Sequence, residues 1–569
     1  MKQRITIDPV TRIEGHLRID VEVEDGRVAK SWASGQMWRG IENIVVDRDP
    51  RDAWAIVQRI CGVCTTVHAM ASVRAVENAL KLEVPLNAQY IRNMMLSAHS
   101  LQDHIVHFYQ LSALDWVDVV SATKANPVKA AQFAEKISDW EGNSPAAMED
   151  TQNRLREFVG SGQLGVFANG YWGHPAMRLS PEVNLMAVSH YLQALEAQRW
   201  ANKIVGTLGS KTPHIQNLAV GGVANPIATD SEGVLTIERL MQIKEYIDKL
   251  GSFIHNCYFV DVAAIAGSYP EWLSIGAGVN DFLSTPDLPL DTLGTRFMMP
   301  GGYIPGGNLR AFKPISHFGD TYFTDGVAES VKHSWYTYKD GDAALNPWKG
   351  ETTPSYTDFQ DDGKYSWIKS PTFEGRPAQV GPIASVMAGI AAGDKTTLAW
   401  VNHMGERVRS ISGHSITPSA LNSTMGRHAA RVIRACVMYE ALKSNWQMLI
   451  DNIGRGDMTT FNKPVFPSGE IMGVGQHEAP RGLLSHWVVI KKGRIANYQA
   501  VVPSTWLAAP KNDNGHLSSY EVALMGSPVA DPQRPLEPLR TIHSFDPCLA
   551  CAVHLTDMEN NTAVSVQAL

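Results

Sequence analysis

The pattern of apolar and polar positions changes along the chain from strand-like to helical and back. Residues 4–33 alternate apolar and polar side chains, and Asp25-Gly26 supplies a hairpin turn between two alternating runs. Residues 464–506 alternate again, with a turn at Lys492-Gly493. We therefore predict a small antiparallel sheet near the N-terminus and further strands close to the C-terminus.

Between these regions the apolar residues recur with helical spacing. Asp49-Pro50 reads as the N-cap and first residue of a helix, and helical spacing continues from the following cysteine pair to Leu80. Residues 87–114 predict a long helix that is apolar on most sides, which favours a central position. Further helices are predicted over 181–208, 234–266, 383–408 and 418–452. The predicted fold class is mainly α with small β-sheets (α+β), built around a central buried helix bundle.

Residues 268–378 differ from the helical regions on both sides. They are rich in glycine, proline, tyrosine and tryptophan, with pairs at Gly301-Gly302 and Gly306-Gly307. This composition predicts a long irregular excursion rather than a domain of its own. Such an aromatic surface is typical of a protein interface, and wrapping around the rest of the molecule explains it equally well.

Composition excludes several classes of function. The 569 residues are 44 % hydrophobic with a formal net charge of −7, and acidic and basic residues are interspersed, so there is no basic stripe for nucleic acid. The longest strongly apolar runs, such as 383–392 with its interruptions at Ser385 and Gly389, are far shorter than the ~20 residues of a membrane-spanning helix. The first nine residues have neither an apolar signal region nor twin arginines, so we expect no signal peptide in this chain.

Four of the six cysteines form two Cys-x-x-Cys pairs at opposite ends of the chain, Cys61/Cys64 and Cys548/Cys551. Two such turns, each offering two thiolates, can complete a four-sulfur metal site. A structural zinc site is one interpretation, although its pairs usually lie some 15–20 residues apart. Closing a site across almost the whole chain costs more loop entropy and suits an active centre in the core. The other two cysteines, Cys257 and Cys436, fall in apolar helical patterns typical of buried hydrophobic residues.

The motifs around the pairs resemble those of the large (catalytic) subunit of [NiFe]-hydrogenases, most closely the membrane-bound uptake group. The first is Arg-x-Cys-Gly-x-Cys-x-x-x-His over 59–68, and the second is Asp-Pro-Cys-x-x-Cys-x-x-His over 546–554. The segments at 8–16, 39–42, 211–217, 478–482 and 502–505 also follow the family pattern. A noncatalytic relative of the fold, the respiratory complex I subunit, lacks the cysteine pairs that this chain has.

The resemblance implies a nickel–iron centre whose iron carries carbonyl and cyanide ligands and which cleaves H2 reversibly into protons and electrons. By position, Cys61 and Cys548 would be terminal ligands of nickel, and Cys64 and Cys551 would bridge to iron. His68 would support this set rather than bind metal. Glu42, the backbone carbonyl of Ala500 and His554 match the ligands of a second cation, magnesium.

Other residues would surround the centre. The residues that the resemblance places over its open side are Pro480, Arg481, Asp103 and Asp546. Those that match a pocket for the diatomic iron ligands are Val502, Pro503 and Ser504, with Ser504 donating to cyanide. His99, Asp103 and His107 share one helix face, which fits either a metal site or an internal hydrogen-bond network; the resemblance moves only Asp103 towards function.

The proton acceptor can be argued from side-chain chemistry. Arginine has a pKa above 12, so Arg481 suits a fixed positive charge better than a base. A terminal thiolate accepts a proton more readily, which makes Cys548 the predicted first acceptor and Glu14, at the family's gate position, the next. The alternative for Glu14 is a surface ion pair with its basic neighbours.

Electron transfer implies a partner. With four cysteines on the metal centre, the remaining two are too few for a conventional four-cysteine iron–sulfur cluster. The family supplies a small subunit with such clusters in an obligate heterodimer, and membrane electron-transfer subunits contact it. That subunit also bears the export signal, which would place the pair on the periplasmic side of the cytoplasmic membrane after assembly of a cytoplasmic precursor.

Maturation is implied by the same resemblance. Residues 1–554 would form one domain in which both chain ends meet at the metal site. Residues 555–569 would be a C-terminal propeptide that an endopeptidase removes once maturation chaperones have helped insert nickel. A disordered terminus is the alternative for this tail.

Overall fold

The computed structural model describes residues 3–162, 171–228, 235–338, 343–350, 353–414 and 416–552. His554 and the tail over 555–569, for which the sequence predicts a metal ligand and a propeptide, lie outside the described residues. Helices form the body of the molecule, and small antiparallel sheets lie among them. The predicted α+β class is confirmed.

The strands, in chain order, are β1 (Gln3–Ile7), β2 (Leu17–Glu24), β3 (Arg27–Gly35), β4 (Trp38–Arg39), β5 (Leu218–Ala219), β6 (Gly222–Val223), β7 (Phe282–Ser284), β8 (Asp287–Pro289), β9 (Phe297–Met299), β10 (Gly302–Ile304), β11 (Lys313–Pro314), β12 (Val327–Ser330), β13 (Tyr336–Thr337), β14 (Thr353–Pro354), β15 (Ser370–Phe373), β16 (Glu470–Ala479), β17 (Gly482–Lys491) and β18 (Arg494–Val501). The two largest sheets have the orders β1-β2-β3 and β16-β17-β18. Both terminal strand predictions are therefore confirmed.

The helices, in chain order, are α1 (Ile41–Ile44), α2 (Ala53–Val57), α3 (Thr65–Leu80), α4 (Leu86–Val106), α5 (Val119–Ala122), α6 (Pro127–Ile137), α7 (Pro145–Ser161), α8 (Pro181–Gly209), α9 (Ile237–Phe253), α10 (Phe259–Ser268), α11 (Thr321–Gly326), α12 (Pro382–Ala392), α13 (Lys395–Ser412), α14 (Thr424–Gly454), α15 (Pro503–Ala508), α16 (Ser519–Leu524), α17 (Leu536–Ser544) and α18 (Leu549–Ala552). Short 3₁₀ turns also occur, at Gln58–Ile60, Ala113–Asp115, Pro270–Leu273, Pro305–Gly307, Leu309–Ala311 and Pro418–Leu421.

The core is built around α4, which packs between α14 and α8. Most of α4 is buried on all sides, as its weak polar face predicts. The 31-residue helix α14 begins at an N-cap, Ser423, whose hydroxyl accepts a hydrogen bond from Gly426 N at 2.9 Å. Buried apolar side chains form one continuous core that reaches from Ile5 to Ala552.

Two long predicted helices contain a π-helical turn. The helix predicted over 87–114 continues from α4 into the π-turn His107–Ser112, and the one over 234–266 runs through Ile254–Tyr258 between α9 and α10. The second stretch, 237–268, is long and apolar enough to cross a bilayer, although its charged residues divide it into short apolar runs in the sequence. However, 78 % of its most apolar window is buried inside the fold, which is usual for a core helix.

Two helix predictions are wrong, one at the start of a helix and one in its middle, and an Asp side chain forms a local hydrogen bond at each place. Asp49 does not begin a helix: its carboxylate accepts a hydrogen bond from Arg51 N at 2.9 Å, and the helix starts at Ala53. The helix predicted over 383–408 is broken where Gly393, with φ 72°, ends α12. Asp394 then caps α13 by accepting from Thr397 N at 2.7 Å.

The irregular excursion over 268–378 folds back onto the body of the protein. Its short strands pair locally, and its aromatic side chains pack mostly inward. Trp367 stacks on Trp38 with ring centroids 5.7 Å apart, and Trp348 meets Trp487 edge-on at 4.7 Å. Of the two interpretations, these contacts favour a segment that wraps around the rest of the molecule rather than an exposed aromatic interface.

Helix α3 lies directly against strand β16 because two glycines on the strand leave room for the helix backbone. A Cβ on Gly473 would overlap the carbonyl oxygen of Ala75, and a Cβ on Gly475 would overlap that of Ala71. This close approach fixes the first cysteine pair, at the start of α3, relative to the sheet.

We expect Gly475→Ala to separate α3 from β16, because the added methyl group meets helix backbone that cannot rotate away. Overpacking of this kind typically costs about 1–3 kcal/mol, and thermal unfolding measures the loss. Gly469→Ala is the control, since a Cβ there meets nothing within 4 Å. Equal stability of the two variants would contradict a rigid contact between helix and sheet.

Candidate metal centre

Four cysteine sulfurs from the two ends of the chain converge at one buried point. The Sγ atoms of Cys61, Cys64, Cys548 and Cys551 all lie within 4.8 Å of one another. Cys548 Sγ is 3.4 Å from Cys61 Sγ, 3.6 Å from Cys64 Sγ and 2.9 Å from Cys551 Sγ. None of the four forms a disulfide. The predicted meeting of the two pairs is therefore present in the fold.

The first pair lies on a tight turn between a 3₁₀ turn and α3. The backbone N–H groups of Val63 and Cys64 both donate to Cys61 Sγ, at 3.2 and 3.1 Å. Cys64 is the N-cap of α3. A helix N-terminus favours negative charge, so this turn stabilises thiolates before any cation binds.

The second pair is held by direct pairing of the two chain ends. Glu14 forms a parallel bridge with Cys548: Glu14 N donates to Pro547 O at 3.3 Å, and Leu549 N donates to Glu14 O at 2.7 Å. Gly15, with φ 83°, allows this approach because a Cβ there would overlap Ala550 N. Arg39 adds a tie by donating to Ala550 O at 2.8 Å and to Ile60 O.

The pKa values of the four thiols shift in different directions, two downwards and two upwards. Burial opposes ionisation of Cys61, but hydrogen bonds from neighbouring thiols lower its pKa well below the usual range. The hydrogen bond with Cys548 lowers the pKa of Cys64 to about 7. Burial raises the pKa of Cys548 and of Cys551. Close sulfurs of which only some ionise fit a soft cation, which would displace the remaining protons on binding.

Arg481 stands over the sulfurs at the tip of a two-residue hairpin loop. Strands β16 and β17 pair through Ala479 and Gly482, so Pro480 and Arg481 form the turn. Arg481 Nη1 donates to Cys64 Sγ at 3.1 Å and to Asp103 at 2.8 Å, and Nη2 donates to Asp546 at 2.9 Å.

These contacts keep the guanidinium charged and oriented. Burial alone would lower the pKa of Arg481, but Asp103 and Asp546 together raise it well above the usual value. Burial raises the pKa of Asp103 to about 6, although Arg481 opposes the shift. The residues that the sequence places over the open side thus meet, and two carboxylates hold one arginine by charge-assisted hydrogen bonds.

Glu14 contacts a different sulfur of the cluster from the one that Arg481 contacts. Its Oε2 lies 3.4 Å from Cys548 Sγ and accepts a hydrogen bond from Ala550 N at 3.1 Å. Burial raises the pKa of Glu14. The alternative of an ion pair with Arg12 is not formed, because Arg12 pairs with Asp115. Glu14 is therefore a partly buried carboxyl group in direct contact with the sulfur cluster.

The segment over 502–504 touches the second pair from the end of β18. Val502 is the N-cap residue of α15, Pro503 opens the helix, and all three side chains are buried. Ser504 Oγ accepts a hydrogen bond from Cys548 N at 3.1 Å. Its own hydroxyl hydrogen can still be donated to a neighbouring acceptor.

Glu42 and Ala500, which the resemblance assigns to one magnesium site, are neighbours in the fold. Glu42 Oε1 accepts a hydrogen bond from Ala500 N at 2.8 Å. Sequence reasoning missed a buried pair beside them: Lys369 Nζ lies 3.4 Å from Glu329 Oε2 and donates to Gln499 Oε1 at 2.8 Å. Burial would lower the pKa of Lys369, but Glu329 and Glu42 raise it. The predicted magnesium ligands, the Glu42 carboxylate and the Ala500 carbonyl, are of the types that suit magnesium.

His68 lies beside Cys551 and not among the ligands. Its Nε2 is 3.3 Å from Cys551 Sγ, and its Nδ1 is 3.0 Å from His486 Nε2. Burial lowers the pKa of His68 to about 4. His486 Nδ1 is in turn 2.6 Å from the hydroxyl of Tyr498. No local motif marked His486 or Tyr498, since both simply alternate along strands.

Of the histidines that share a face with Asp103, neither joins the cluster. His107 Nε2 donates to His543 O at 2.6 Å, while His107 Nδ1 and His99 Nε2 have no partner within the part of the chain that the structure describes. The expected internal network is thus incomplete. Cys257 and Cys436 are both fully buried, as predicted.

Comparison with known proteins places these features in a family. A model described as nickel-dependent hydrogenase matches residues 39–554, and a HoxL-like model matches residues 4–31. The chain is 58 % identical to the hydrogenase-2 large chain of Escherichia coli K12 over 100 % of both chains. It is 44 % identical to the uptake hydrogenase large subunit of Bradyrhizobium diazoefficiens, over 99 % of this chain and 97 % of the relative.

Solved structures agree with the sequence relatives. The Ni-Fe-Se hydrogenase of D. vulgaris Hildenborough in the reduced state superposes with a TM-score of 0.77 at 32 % identity, covering 97 % of this chain and 100 % of that chain. A [NiFeSe]-hydrogenase of Dm. baculatum gives the same TM-score at 29 % identity.

Proposed function

Because this chain belongs to the nickel-dependent hydrogenase family, as a catalytic large subunit, we propose that its four cysteines hold a nickel–iron centre and that its neighbouring side chains move the proton released from H2. The chain is a [NiFe]-hydrogenase subunit, an oxidoreductase acting on H2. The observation that carries the proposal is the convergence of four thiols, none in a disulfide, with Arg481 in contact with Cys64 and Glu14 in contact with Cys548.

The donor set fits the proposed centre. Cys61 and Cys548 would bind nickel alone, and Cys64 and Cys551 would also bind iron. Bound there, the centre would supply the polarisation that H2, which has no polar handle, needs for heterolytic cleavage. The pocket of Val502, Pro503 and Ser504 would hold carbonyl and cyanide ligands, with the free hydroxyl hydrogen of Ser504 donated to cyanide.

The proton would pass from Cys548 to Glu14. A proton on Cys548 Sγ has Glu14 Oε2 as an acceptor at 3.4 Å. Burial brings the pKa of the Glu14 carboxyl up towards that of a thiol, which makes the transfer less uphill. Arg481 cannot take this proton, because its two carboxylate partners stabilise the charged form.

A magnesium ion would lie beside Glu42 and the carbonyl of Ala500. The hydrogen bond from Ala500 N to Glu42 Oε1 at 2.8 Å brings the two residues together and supports this position, and His554 would be a further ligand. Electrons would leave through a small subunit with iron–sulfur clusters, since Cys257 and Cys436 are each buried away from a cluster of thiols. The relatives named uptake hydrogenases support H2 oxidation as the favoured direction.

Assembly is proposed on the family pattern. Residues 1–554 would fold as one domain, which the continuous core supports. Chaperones would help insert nickel, and an endopeptidase would remove 555–569. The heterodimer would then be exported by the signal of the small subunit and would contact membrane electron-transfer subunits on the periplasmic side.

We expect infrared bands from carbonyl and cyanide, with nickel and iron near one each per chain, in protein purified from a host that builds the centre. Cys64→Ser should lose the bands and both metals because it removes a bridging ligand. Cys436→Ser, a buried cysteine outside the cluster, should keep them. Zinc without bands, in protein whose tail mass spectrometry shows to be removed, would refute the hydrogenase site in favour of structural zinc.

We expect Glu14→Gln to retain both metals and lose turnover, because the amide cannot accept the proton from Cys548. General acid–base groups contribute typically about 10²–10⁴-fold, so H2 oxidation should fall at least about 10²-fold. Glu245→Gln, on the surface of α9, is the control. A parental rate in Glu14→Gln would remove Glu14 from the proton route.

We expect Arg481→Lys to assemble the centre but react slowly, because lysine keeps the charge and loses the planar fork that reaches three partners. Loss of one preorganised donor costs about 10²–10³-fold in rate, measured as H2 oxidation per bound nickel. Arg92→Lys is matched in burial and in its bidentate contact with Glu77. Equal rates in Arg481→Lys and the parent would show that the fork has no catalytic role.

A further inference from the structure

A line of hydrogen-bonding groups leads away from Cys551 into the protein. It passes from Cys551 Sγ to His68 at 3.3 Å, to His486 at 3.0 Å and to the Tyr498 hydroxyl at 2.6 Å. All three partners are at most 1 % exposed. The other three sulfurs have different partners, so this line is specific to Cys551.

Three separate elements build the line, which argues against a chance contact. His68 is on α3, His486 is on β17 and Tyr498 is on β18. His486 pairs with Ala500 and Val488 pairs with Tyr498, so His486 and Tyr498 are diagonal neighbours on one face of the sheet. The glycine contacts of β16 bring α3 close enough for His68 to reach that face.

The hydrogen bonds of the line have only one consistent direction when both rings are neutral. A thiolate only accepts, so the single N–H of His68 must be on Nε2. His68 Nδ1 then accepts from His486 Nε2–H, and His486 Nδ1 accepts from the Tyr498 hydroxyl. Burial raises the pKa of Tyr498, which keeps this hydroxyl protonated as a donor.

We propose that His486 and Tyr498 are positioning residues that hold His68 as an Nε2–H donor to Cys551 and thereby set the electron density on that sulfur. The inference rests on the proposed function, in which Cys551 bridges to iron. Chains of buried hydrogen bonds polarise one another, so the Tyr498 hydroxyl acts on the sulfur through two rings. Hydrogen bonds outside the ligand set tune a metal in this way.

The expected consequence is spectroscopic. Removing the Tyr498 hydroxyl or the His486 ring takes away a donor behind His68, which weakens the hydrogen bond from His68 Nε2–H to Cys551. The sulfur then donates more electron density to iron. Iron then donates more to its carbonyl ligand, whose stretching band moves to lower wavenumber, and the midpoint potential of the centre becomes more negative. A residue that only supports folding would change the amount of loaded protein and leave both quantities unchanged.

The test uses the complete heterodimer and compares Tyr498→Phe, His486→Leu and the double variant by infrared spectroscopy and redox titration, with nickel and iron measured in each. Tyr365→Phe is the matched control, because it deletes a buried hydroxyl that donates to Glu521 at 2.8 Å, outside the line. We expect a downward band shift in Tyr498→Phe, a larger one in His486→Leu and none in Tyr365→Phe. The double variant should equal His486→Leu, since Tyr498 acts only through His486.

Unshifted bands and potentials in Tyr498→Phe and His486→Leu would overturn the proposal. So would loss of metal or of folding in these variants with the bands of the loaded fraction at parental positions, since that outcome marks a structural role. Absence of the bands from the parent protein would instead refute the nickel–iron centre itself, so the two failures are distinct.

Discussion

The pairing of residue 14 with residues 547–549 is the contact on which the rest of the structure depends. It brings the second cysteine pair onto the first, and Gly15 is the position that lets the two backbones touch. The extra loop entropy is modest, because each doubling of a loop costs only about 0.6 kcal/mol. Passing from a loop of about 15 residues to one of about 500 takes about five doublings, or about 3 kcal/mol, which the burial of a few core side chains offsets. The site therefore exists only in a chain that has folded from end to end.

The second constraint is the sheet of β16, β17 and β18, which carries groups for several sides of the centre. Its first hairpin loop presents Arg481, its middle strand presents His486, and its last strand leads through Ala500 to Val502 and Ser504. Strand register fixes these positions relative to one another, and the glycines of β16 fix the sheet against α3. One rigid unit thus holds both the charged and the neutral neighbours of the sulfurs.

The sequence allowed most of this arrangement to be predicted where chemistry is encoded locally. The two Cys-x-x-Cys turns, the terminal strands and the long helices follow from spacing and periodicity. The start of α2 and the break before α13 could not be read from periodicity, because Asp49 and Asp394 form side-chain hydrogen bonds that compete with helix continuation. His486, Tyr498 and Lys369 were missed because their roles come from neighbours distant in sequence, and a strand residue carries no local sign of what faces it.

The four cysteines of the cluster lie in four different environments. Cys61 accepts two backbone N–H groups, Cys64 accepts the Arg481 guanidinium, and Cys551 faces the imidazole of His68.

Cys548 differs from the other three because its side-chain neighbour outside the cluster is a carboxylate. Donors at the other sulfurs stabilise negative charge there. At Cys548 the Glu14 carboxylate can instead accept a hydrogen bond from a protonated sulfur. Burial raises the pKa of both Cys548 and Cys551, so the carboxylate neighbour is what distinguishes Cys548. The asymmetry of the surroundings, more than any property of cysteine, is why we propose Cys548 as the sulfur at which the proton arrives and leaves.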